Sequence, residues 1–315
     1  MAANIELIVG APGSGHRLIA QTRAESRGAY CLNLDPSDQD PLPPYCLSLC
    51  GPGGALVSAQ FVGSTQLVHD PLSVFLGVYR TVGVVQEGEI CAALPIQSLS
   101  PVSVHMYRAL WRALEPQSVI AVGDVTLRHI LGKDPDDREP PRPDRLGPRA
   151  EKPKRKAWWA EYLARSRKHK FTLQQTRLVG SRLGAGQPLS AKEMIELREV
   201  GFPEAIYAEL CGTSLTIVTG HRHESDAAPR AADHFGCETA HLIAPGTLVG
   251  LVVGLIGPKG RFLGVGRISE FDTSNAVLAV QAAGEPPLVV EEVQLGRIRV
   301  GPDGEELGYL KPWQV

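Results

Sequence analysis

The chain has 315 residues, of which 43% are hydrophobic, and a formal net charge of −2. A length above about 250–300 residues favours two domains over one core. The balanced charge argues against a protein that coats nucleic acid, so any nucleic-acid contact has to be local.

The longest apolar stretch, 242–257, holds one proline and four glycines and predicts no membrane span. Scattered cysteines and no signal-peptide pattern before the first strand predict a cytoplasmic protein with reduced thiols.

The first predicted elements are an apolar strand over 5–9, a glycine-rich turn and a helix start. Gly10 and Gly15 have the separation of the phosphate-binding loop G-x-x-x-x-G-K-[ST], in which main-chain N–H groups and the start of the helix hold phosphates. We therefore predict a phosphate-binding loop. Its predicted nucleotide-binding residues are Gly10, Pro12, Gly13, Ser14, Gly15, His16 and Arg17.

Two residues of this loop depart from the pattern. His16 replaces the lysine that reaches the outer phosphates, and Arg17 replaces the hydroxyl that holds magnesium. Histidine is only partly charged at neutral pH. Arginine cannot bind a metal, but its charge-assisted hydrogen bond is worth about 1.5–3 kcal/mol. The loop alone leaves two interpretations open, a modified nucleotide site and an ordinary glycine-rich turn.

Strand and helix patterns alternate through the next part of the chain. Strands are predicted over 30–35, 89–95 and 118–123, with a helix over 104–114. This alternation predicts an α/β domain over 1–205, in which a parallel sheet carries flanking helices and ligands bind beyond the carboxyl ends of the strands. Both the glycine-rich loop and Asp35 follow such strand ends.

The character of the sequence changes between Lys133 and Lys156, where proline and charge dominate. This composition predicts a mobile insertion over 133–156. A basic helix is predicted over 157–171, and Trp158 and Trp159 lie within it. The two indoles fit either stacking on bases or packing against the sheet.

Short β patterns follow after about residue 205. They cover 214–219, 248–256, 262–270, 276–281 and 293–300, and turn signals separate them. This spacing predicts a small antiparallel β domain over 206–315. His221 and His223 lie in this part without a third metal ligand in view, which favours a solvated loop over a metal site.

The order of several short segments resembles one family. These segments are the glycine-rich loop, Leu34–Asp38, Phe61–Thr65, Asp70-Pro71, the basic helix and Leu295–Arg299. Together they resemble the polyribonucleotide 5′-hydroxyl-kinases, RNA kinases of tRNA splicing, mRNA 3′-end processing and pre-ribosomal RNA processing. The resemblance runs from residue 5 to about residue 308. It implies ATP and Mg²⁺ as cofactors, an RNA with a 5′-hydroxyl end as substrate, and an RNA-processing protein as a partner.

The resemblance also implies roles for single residues. Asp35 matches an aspartate that takes the proton of the attacking hydroxyl and holds magnesium. Asp38 and Thr65 fall at positions that contact the substrate. Arg165 and Arg167 fall where the family has a lid whose arginines close over the phosphates, a use that suits a guanidinium. From the residues alone, Asp35 and Thr65 fit turns equally, and a basic helix fits a solvated face.

The departures from the family pattern fall on the nucleotide side. Besides His16 and Arg17, Asp38 replaces a glutamine and Leu67 replaces a proline, and 94–98 differs from the family's T-x-G-W. Two hypotheses therefore stay open, an RNA 5′-hydroxyl kinase and a catalytically inactive relative that acts as an RNA-binding or assembly module. A third is a phosphate-loop nucleotidase with another substrate.

Overall fold

The computed structural model describes residues 4–37, 43–132, 135, 137–142, 151–173, 175–180, 182–220, 226–272, 274–283, 289–311 and 314. The chain forms two compact units, Met1–Arg155 and Lys156–Val315. This division falls earlier in the chain than the predicted one at 205/206, because residues 167–172 form a strand of a sheet in the second unit. Among the described residues, no helix is long and apolar enough to cross a membrane.

The first unit is built on one sheet. Its strands are β1 (Asn4–Gly10), β2 (Tyr30–Asn33), β3 (Cys46–Cys50), β4 (Leu56–Phe61), β5 (Glu89–Pro95), β6 (Ser118–Val122) and β7 (Asp137–Glu139). The order of the seven strands is β4-β3-β2-β5-β1-β6-β7. Strands β2, β5, β1, β6 and β7 run parallel to one another. The predicted parallel sheet is therefore confirmed.

An antiparallel hairpin extends this sheet beyond β2. Strand β3 pairs antiparallel with both β2 and β4. The sequence analysis did not predict the hairpin, because the five-residue run Cys46–Cys50 is short and carries no turn signal of its own. All but the last residue of β3 are buried, so its apolar side chains extend the core of the unit.

Helices cover both faces of the sheet. They are α1 (His16–Arg27), α2 (Pro71–Val82), α3 (Pro101–Leu114) and α4 (Arg128–Leu131). On one face, Ile19 of α1 packs with Ile8 of β1. On the other face, Val78 of α2 and Leu110 of α3 share a cluster with Leu7. Because neighbouring residues of a strand point to opposite faces, the alternating Leu7 and Ile8 anchor the two helical layers.

The segment 133–156, predicted as a mobile insertion, contains regular structure in its described part. Strand β7 continues the sheet beyond β6, and the amide N–H of Gly123 donates to the carbonyl oxygen of Glu139 at 2.9 Å. The Nη2 atom of Arg23 lies 2.6 Å from Oε1 of Glu139. These contacts hold residues 137–139 against the sheet. Helix α5 (Glu151–Arg165) begins within the same segment.

The second unit contains two sheets. Its strands are β8 (Arg167–Thr172), β9 (Arg177–Val179), β10 (Gln187–Pro188), β11 (Ala205–Cys211), β12 (Ser214–Thr219), β13 (Thr239–Ile243), β14 (Leu251–Ile256), β15 (Phe262–Asp272), β16 (Val277–Ala282), β17 (Glu292–Val300) and β18 (Glu306–Tyr309). The larger sheet has the order β18-β17-β14-β15-β16-β8, with β9 parallel to β17, and the smaller has the order β10-β11-β12-β13.

The predicted β runs correspond to β12, β14, β15, β16 and β17. Pairing along the main path of the larger sheet is antiparallel, as expected, whereas β12 and β13 of the smaller sheet run parallel. Helices α6 (Ala191–Val200), α7 (Ala227–His234) and α8 (Pro245–Leu248) complete the unit. The helix predicted over 157–171 ends at Arg165, because the next residues pair with β16 as an edge strand.

Candidate functional site

The carboxyl ends of three parallel strands bring the predicted phosphate loop next to two other loops. The amide N–H of Ile96, just after β5, donates to the carbonyl oxygen of Gly10 at 2.8 Å. The amide N–H of Leu34, just after β2, donates to the carbonyl oxygen of Ala93 at 2.9 Å. Residues 10–17, 34–37 and 96–97 therefore lie at one edge of the sheet, where open α/β sheets bind ligands.

The glycine-rich loop has a backbone suited to an anion. Gly13 and Gly15 adopt positive φ values of 78° and 83°, which glycine reaches without a steric penalty. The amide N–H of Ser14 donates to the carbonyl oxygen of Ala11 at 3.0 Å. The N–H groups of Gly13 and Gly15 donate to no other residue that the structure describes. Two main-chain donors thus lie at the start of α1, where the helix dipole favours negative charge.

Close packing explains why glycine occupies both ends of the loop. A Cβ atom on Gly10 would overlap the Oγ atom of Ser14, and one on Gly15 would overlap the carbonyl oxygen of Arg142. The amide N–H of Arg142 also donates to the carbonyl oxygen of Ser14 at 2.9 Å. The main chain near residue 142 therefore packs directly on the loop, which the sequence did not indicate.

His16, in the position of the usual lysine, is directed towards Asp35. The residue is buried, with 3% of its surface exposed. Its Nδ1 atom lies 3.3 Å from Oγ of Ser14, and its Nε2 atom lies 3.9 Å from Oδ2 of Asp35. A lysine would carry its charge further along the loop on a longer, flexible stem. The imidazole instead lies between the loop and the residues that follow β2.

Asp35 is buried and one of its oxygens is fixed. Its Oδ1 atom accepts hydrogen bonds from the amide of Ser37 at 3.0 Å and from the Ser37 hydroxyl at 2.6 Å. The amide of Asp35 donates to Oδ1 of Asn33 at 2.9 Å. The turn-forming role that the sequence left open is therefore present. The same hydrogen bonds orient the carboxylate so that Oδ2 is the oxygen on the His16 side.

Two arginines lie close to this site, one predicted and one not. Arg17 lines a cleft of about 150 Å³ between α1 and strands β2 and β3, together with Cys31 and Asn33. Arg155, in the first half of α5, is buried, and its Nη1 atom donates to the carbonyl oxygen of Ser37 at 3.4 Å. The sequence showed Arg155 only as part of a run of charged residues, so nothing singled it out.

Gln97 connects the loop after β5 to the segment that contains Thr65. Its Nε2 atom donates to the carbonyl oxygen of Thr65 at 2.6 Å, and its Oε1 atom accepts from the amide of Leu67 at 3.3 Å. The amide of Gln97 donates to the hydroxyl oxygen of Tyr107 at 3.0 Å, and burial raises the pKa of that tyrosine. Thr65 is buried. Gln97 was not predicted, although 94–98 was noted as different from the family pattern.

The predicted lid arginines belong to the second unit. Arg165 ends α5, is exposed, and its Nη2 atom lies 3.3 Å from Oε1 of Glu161. Arg167 is exposed at the start of β8 and pairs with Ala282 of β16. The prediction that one basic helix carries both residues is therefore wrong. Arg165 lies at the end of α5, and Arg167 lies in the edge strand β8. Asp38 lies outside the described residues.

The two indoles of α5 have separate environments within the second unit. Trp159 is fully buried, so packing is its role in the fold. Trp158 is half-buried and stacks on Tyr162, with ring centroids 4.7 Å apart. The Tyr162 hydroxyl donates to the carbonyl oxygen of Val265 at 2.5 Å, which fixes the aromatic group against β15.

The donor set for a metal is small. Among the described residues, no three His, Cys, Asp or Glu side chains are placed to hold a metal ion together. The predicted metal ligand, Asp35, is a single carboxylate, and Arg17 stands where the usual hydroxyl ligand would be. The pair His221 and His223 lies outside the described residues.

Sequence comparison finds relatives that carry one activity in their names. The chain is 30% identical over 205 residues to a polyribonucleotide 5′-hydroxyl-kinase of Thermococcus kodakarensis, which covers 64% of this chain and 51% of the relative. It is 28% identical over 154 residues to the enzyme of that name from Methanocaldococcus jannaschii, covering 48% and 41%. The chain is related to the polyribonucleotide 5′-hydroxyl-kinases. The resemblance inferred from the order of segments is therefore confirmed.

The match to these kinases has a limited extent. The chain spans about half the length of the curated relatives it matches, 51% and 41% in these two cases. A Pyrococcus furiosus polyribonucleotide 5′-hydroxyl-kinase is 27% identical over 157 residues, covering 48% of this chain and 41% of its own. No family model matches the chain.

Solved structures support the fold over most of the chain. A chain of the wild-type Clp1p–Pcf11p complex superposes with a TM-score of 0.54 at 11% identity, covering 94% of this chain and 74% of its own. A second structure, which describes an extended interface between Pcf11p and Clp1p, gives 0.52 at 11% identity, covering 94% and 75%. At this identity the likeness concerns the fold, an α/β sheet with helices on both faces and additional antiparallel sheets.

Proposed function

We propose that the chain is a polyribonucleotide 5′-hydroxyl kinase that transfers the γ-phosphoryl group of ATP to the 5′-hydroxyl of an RNA. The observation that carries the proposal is the position of Asp35. It is buried at the carboxyl end of β2, and its Oδ2 atom lies 3.9 Å from His16 in the phosphate loop. A carboxylate beside a phosphate loop is where phosphoryl transfer needs a proton acceptor. The names of the relatives in sequence support the choice of substrate.

The loop residues fit the phosphates of ATP. The N–H groups of Gly13 and Gly15, which donate to no other described residue, would donate to phosphate oxygens at the start of α1. Main-chain donors of this kind cost no rearrangement when charge develops in the transition state. His16 and Arg17 would contribute positive charge in place of the missing lysine. Arg165 and Arg167 remain proposed lid residues, and Thr65 and Asp38 proposed substrate contacts.

Asp35 would act through its second oxygen. Oδ1 is occupied by the two hydrogen bonds from Ser37, whereas Oδ2 is the oxygen on the side of the phosphate loop. In the proposed reaction, Oδ2 accepts the proton of the 5′-hydroxyl as the hydroxyl oxygen bonds to the γ-phosphorus and ADP leaves. Asn33 and Ser37 position the carboxylate, and Arg155 fixes the chain at Ser37.

Magnesium fits this site less well than ATP does. Mg²⁺ commonly binds one or two carboxylates together with substrate phosphates and water. Asp35 can supply one carboxylate, but Arg17 replaces the hydroxyl that is the other usual protein ligand. Asp35 therefore remains the proposed metal ligand, and we assign no step of the transfer to the metal.

A transfer assay tests this proposal directly. The chain is incubated with ATP, Mg²⁺ and a 5′-hydroxyl oligoribonucleotide, and the 5′-phosphorylated product is measured by gel and mass spectrometry. We expect Asp35→Asn to lower the rate by about 10²–10⁴-fold, the usual size of a general-base contribution. Glu87→Gln, an exposed carboxylate before the amino end of β5 and therefore at the opposite edge of the same sheet, should keep the rate. Equal product with the chain and with Asp35→Asn would exclude the proposed reaction.

One observation favours a second function, a non-catalytic relative that binds RNA or assembles with a protein. The loop lacks its lysine, and the histidine in that position is buried against Asp35 instead of reaching along the loop. This candidate predicts negligible affinity for ATP. Isothermal titration calorimetry with ATP and Mg²⁺ decides between the two, since tight magnesium-dependent binding contradicts a vestigial loop.

A protein partner and a cytoplasmic location complete the proposal. Two solved structures of similar fold describe Clp1p with Pcf11p, which supports a protein partner. That this partner is an RNA-processing protein rests on the resemblance to the RNA kinases. The proposed location rests on the scattered cysteines, which suit a compartment that keeps thiols reduced. Immunofluorescence of the tagged protein in its own cells would test it.

A further inference from the structure

Helix α2 is apolar on two opposite faces, of which only one is used by the core. Val74 and Val78 point inward and belong to the main core cluster of the first unit. Leu72, Leu76 and Tyr79 point outward with 70%, 46% and 79% of their surfaces exposed. Their spacing of four and three residues places them in one stripe along the helix. A surface helix normally has polar residues on its outer face.

The outer stripe borders a groove. Half-buried Phe75 and Val82 of α2 line this groove together with Ala113 at the end of α3, and its volume is about 440 Å³. A groove of this kind accepts apolar side chains from one direction, between two helices. Continuous exposed apolar surface on a folded unit is typical of a protein interaction site.

The side of the groove along α3 is basic. His105, Arg108 and Arg112 are exposed at helical spacing on α3, and their surface meets the groove at Ala113. The sequences of α2, α3 and α4 contain no Asp or Glu. In the part of the chain that the structure describes, neither Arg108 nor Arg112 forms an ion pair, and Arg108 donates through Nε to the carbonyl oxygen of His129 at 2.9 Å.

We propose that this α2–α3 face, formed by Leu72, Leu76, Tyr79, Arg108 and Arg112, binds an acidic amphipathic segment of a partner protein. The apolar side chains of such a segment would enter the groove, as in helix-in-groove recognition. Its carboxylates would lie against the arginines, and complementary charge would fix its orientation and speed its association. The proposal rests on this surface alone and is independent of the kinase reaction.

Two other occupants fit the surface less well. A second copy of the chain would place its own α3 arginines near those of the first, and like charges across an interface oppose association. An RNA strand would be attracted to the arginines, but RNA sites combine basic residues with aromatic stacking platforms. Here the outer stripe is dominated by aliphatic Leu72 and Leu76, and Tyr79 is its one exposed aromatic residue among those described.

Fluorescence anisotropy with defined peptides tests the proposal. The probe is a fluorescein-labelled helical peptide with leucines on one face and glutamates on the other. A matched peptide carries lysine in place of every glutamate. We expect saturable binding of the acidic peptide and at least about tenfold weaker binding of the lysine peptide, since the charge pattern sets partner choice.

Two independent sets of variants locate the binding site. Leu76→Ser with Tyr79→Ser removes apolar anchors, and Arg108→Glu with Arg112→Glu reverses the charge. Each pair should weaken acidic-peptide binding by about tenfold or more, as expected for residues central to an interface. All four residues are exposed, so thermal melting should show folded variants.

Matched substitutions elsewhere serve as controls. Ile195→Ser and Lys192→Glu change exposed residues of α6 and should leave peptide binding intact. Several results would overturn the proposal: no saturable binding of the acidic peptide, equal binding of both peptides, or peptide binding that neither pair of variants weakens. Self-association in analytical ultracentrifugation that Tyr79→Ser abolishes would assign the face to a second copy instead. Binding of an oligouridylate that only the arginine variants abolish, without peptide binding, would assign it to RNA.

Discussion

Nε2 of His16 lies 3.9 Å from Oδ2 of Asp35, so the residue that replaces the loop lysine is directed at the proposed catalytic carboxylate. The two side chains are buried together at the edge of the sheet. A protonated imidazole would pair with the carboxylate and would compete with an incoming hydroxyl or metal for it. The exchange of lysine for histidine therefore affects the proposed base as well as the phosphates.

Restoring the usual loop residues should raise the affinity for ATP. His16→Lys with Arg17→Ser returns an ammonium group that reaches the outer phosphates and a hydroxyl that can hold magnesium. A charge-assisted hydrogen bond is worth about 1.5–3 kcal/mol, which corresponds to about ten- to hundredfold in Kd. Calorimetry with ATP and Mg²⁺ measures the change.

The single change Arg17→Ala separates the contributions of the two positions. If the Arg17 guanidinium has taken over the charge of the lysine, this variant should lose nucleotide binding. Unchanged ATP binding in Arg17→Ala would assign Arg17 to the cleft that it lines beside Cys31. Equal ATP affinity in the double variant and the natural chain would contradict the view that the loop is still folded for phosphate.

Gly15→Ala should destabilise the first unit and disturb the loop. Gly15 has a φ of 83°, and a Cβ atom there would overlap the carbonyl oxygen of Arg142. Strain of this kind costs about 1–3 kcal/mol of the free energy of unfolding. Gly28→Ala is the matched control, because Gly28 also has a positive φ, 62°, but open space around it. Urea unfolding should show the larger loss for Gly15→Ala, and equal losses would show that the contact with Arg142 is not rigid.

The sequence predicted what local patterns determine. Strands β1, β2, β5 and β6 of the first unit are largely apolar, and Gly10 and Gly15 mark the loop by their spacing alone. Strand β8 was missed because its basic residues suit an exposed edge strand as well as a helix, and only its pairing with β16 decides between them.

The contacts of the site come from distant parts of the chain, and a single sequence does not show them. Gln97 binds the Thr65 segment, Arg155 binds the chain at Ser37, and the main chain of Arg142 covers the loop. Each of these contacts depends on how the sheet aligns its strands. Nothing in the sequence marked Gln97, Arg142 or Arg155, because the chain contains many other glutamines and arginines.

Glu209→Gln should destabilise the second unit. The buried carboxylate accepts hydrogen bonds from the amides of Gly184, at 2.8 and 3.0 Å, and Gly186, at 3.3 Å, and from the Tyr207 hydroxyl at 2.7 Å. The NH₂ group of a glutamine cannot accept hydrogen bonds, so some of these N–H and O–H groups would lose their acceptor. A buried donor without an acceptor costs about 1–3 kcal/mol of the free energy of unfolding. Urea unfolding measures the loss.

A second measurement distinguishes this role of Glu209 from a general loss of fold. Burial raises the pKa of Tyr207, and the hydrogen bond to Glu209 raises it further. The substitution should therefore lower the pKa of this tyrosine in a spectrophotometric titration. Glu199→Gln, an exposed change on α6, is the control and should alter neither stability nor the titration. An unchanged free energy of unfolding in Glu209→Gln would show that water can replace the carboxylate.

Cys31 should react with iodoacetamide far more slowly than Cys211 at pH 8. Burial, and to a smaller extent the neighbouring thiols of Cys50 and Cys91, raise the pKa of Cys31 to about 12. Cys211, in contrast, is exposed. The thiolate is the nucleophile, and a raised pKa keeps the thiol protonated through neutral pH. Labelling of Cys31 should therefore accelerate by about tenfold per pH unit until the pH approaches the pKa. Mass spectrometry of peptides resolves both sites, with Cys31→Ser to confirm the assignment. If Cys31 is labelled as fast as Cys211 in the folded protein, its half-buried thiol is accessible from the cleft, and its pKa is not raised as expected.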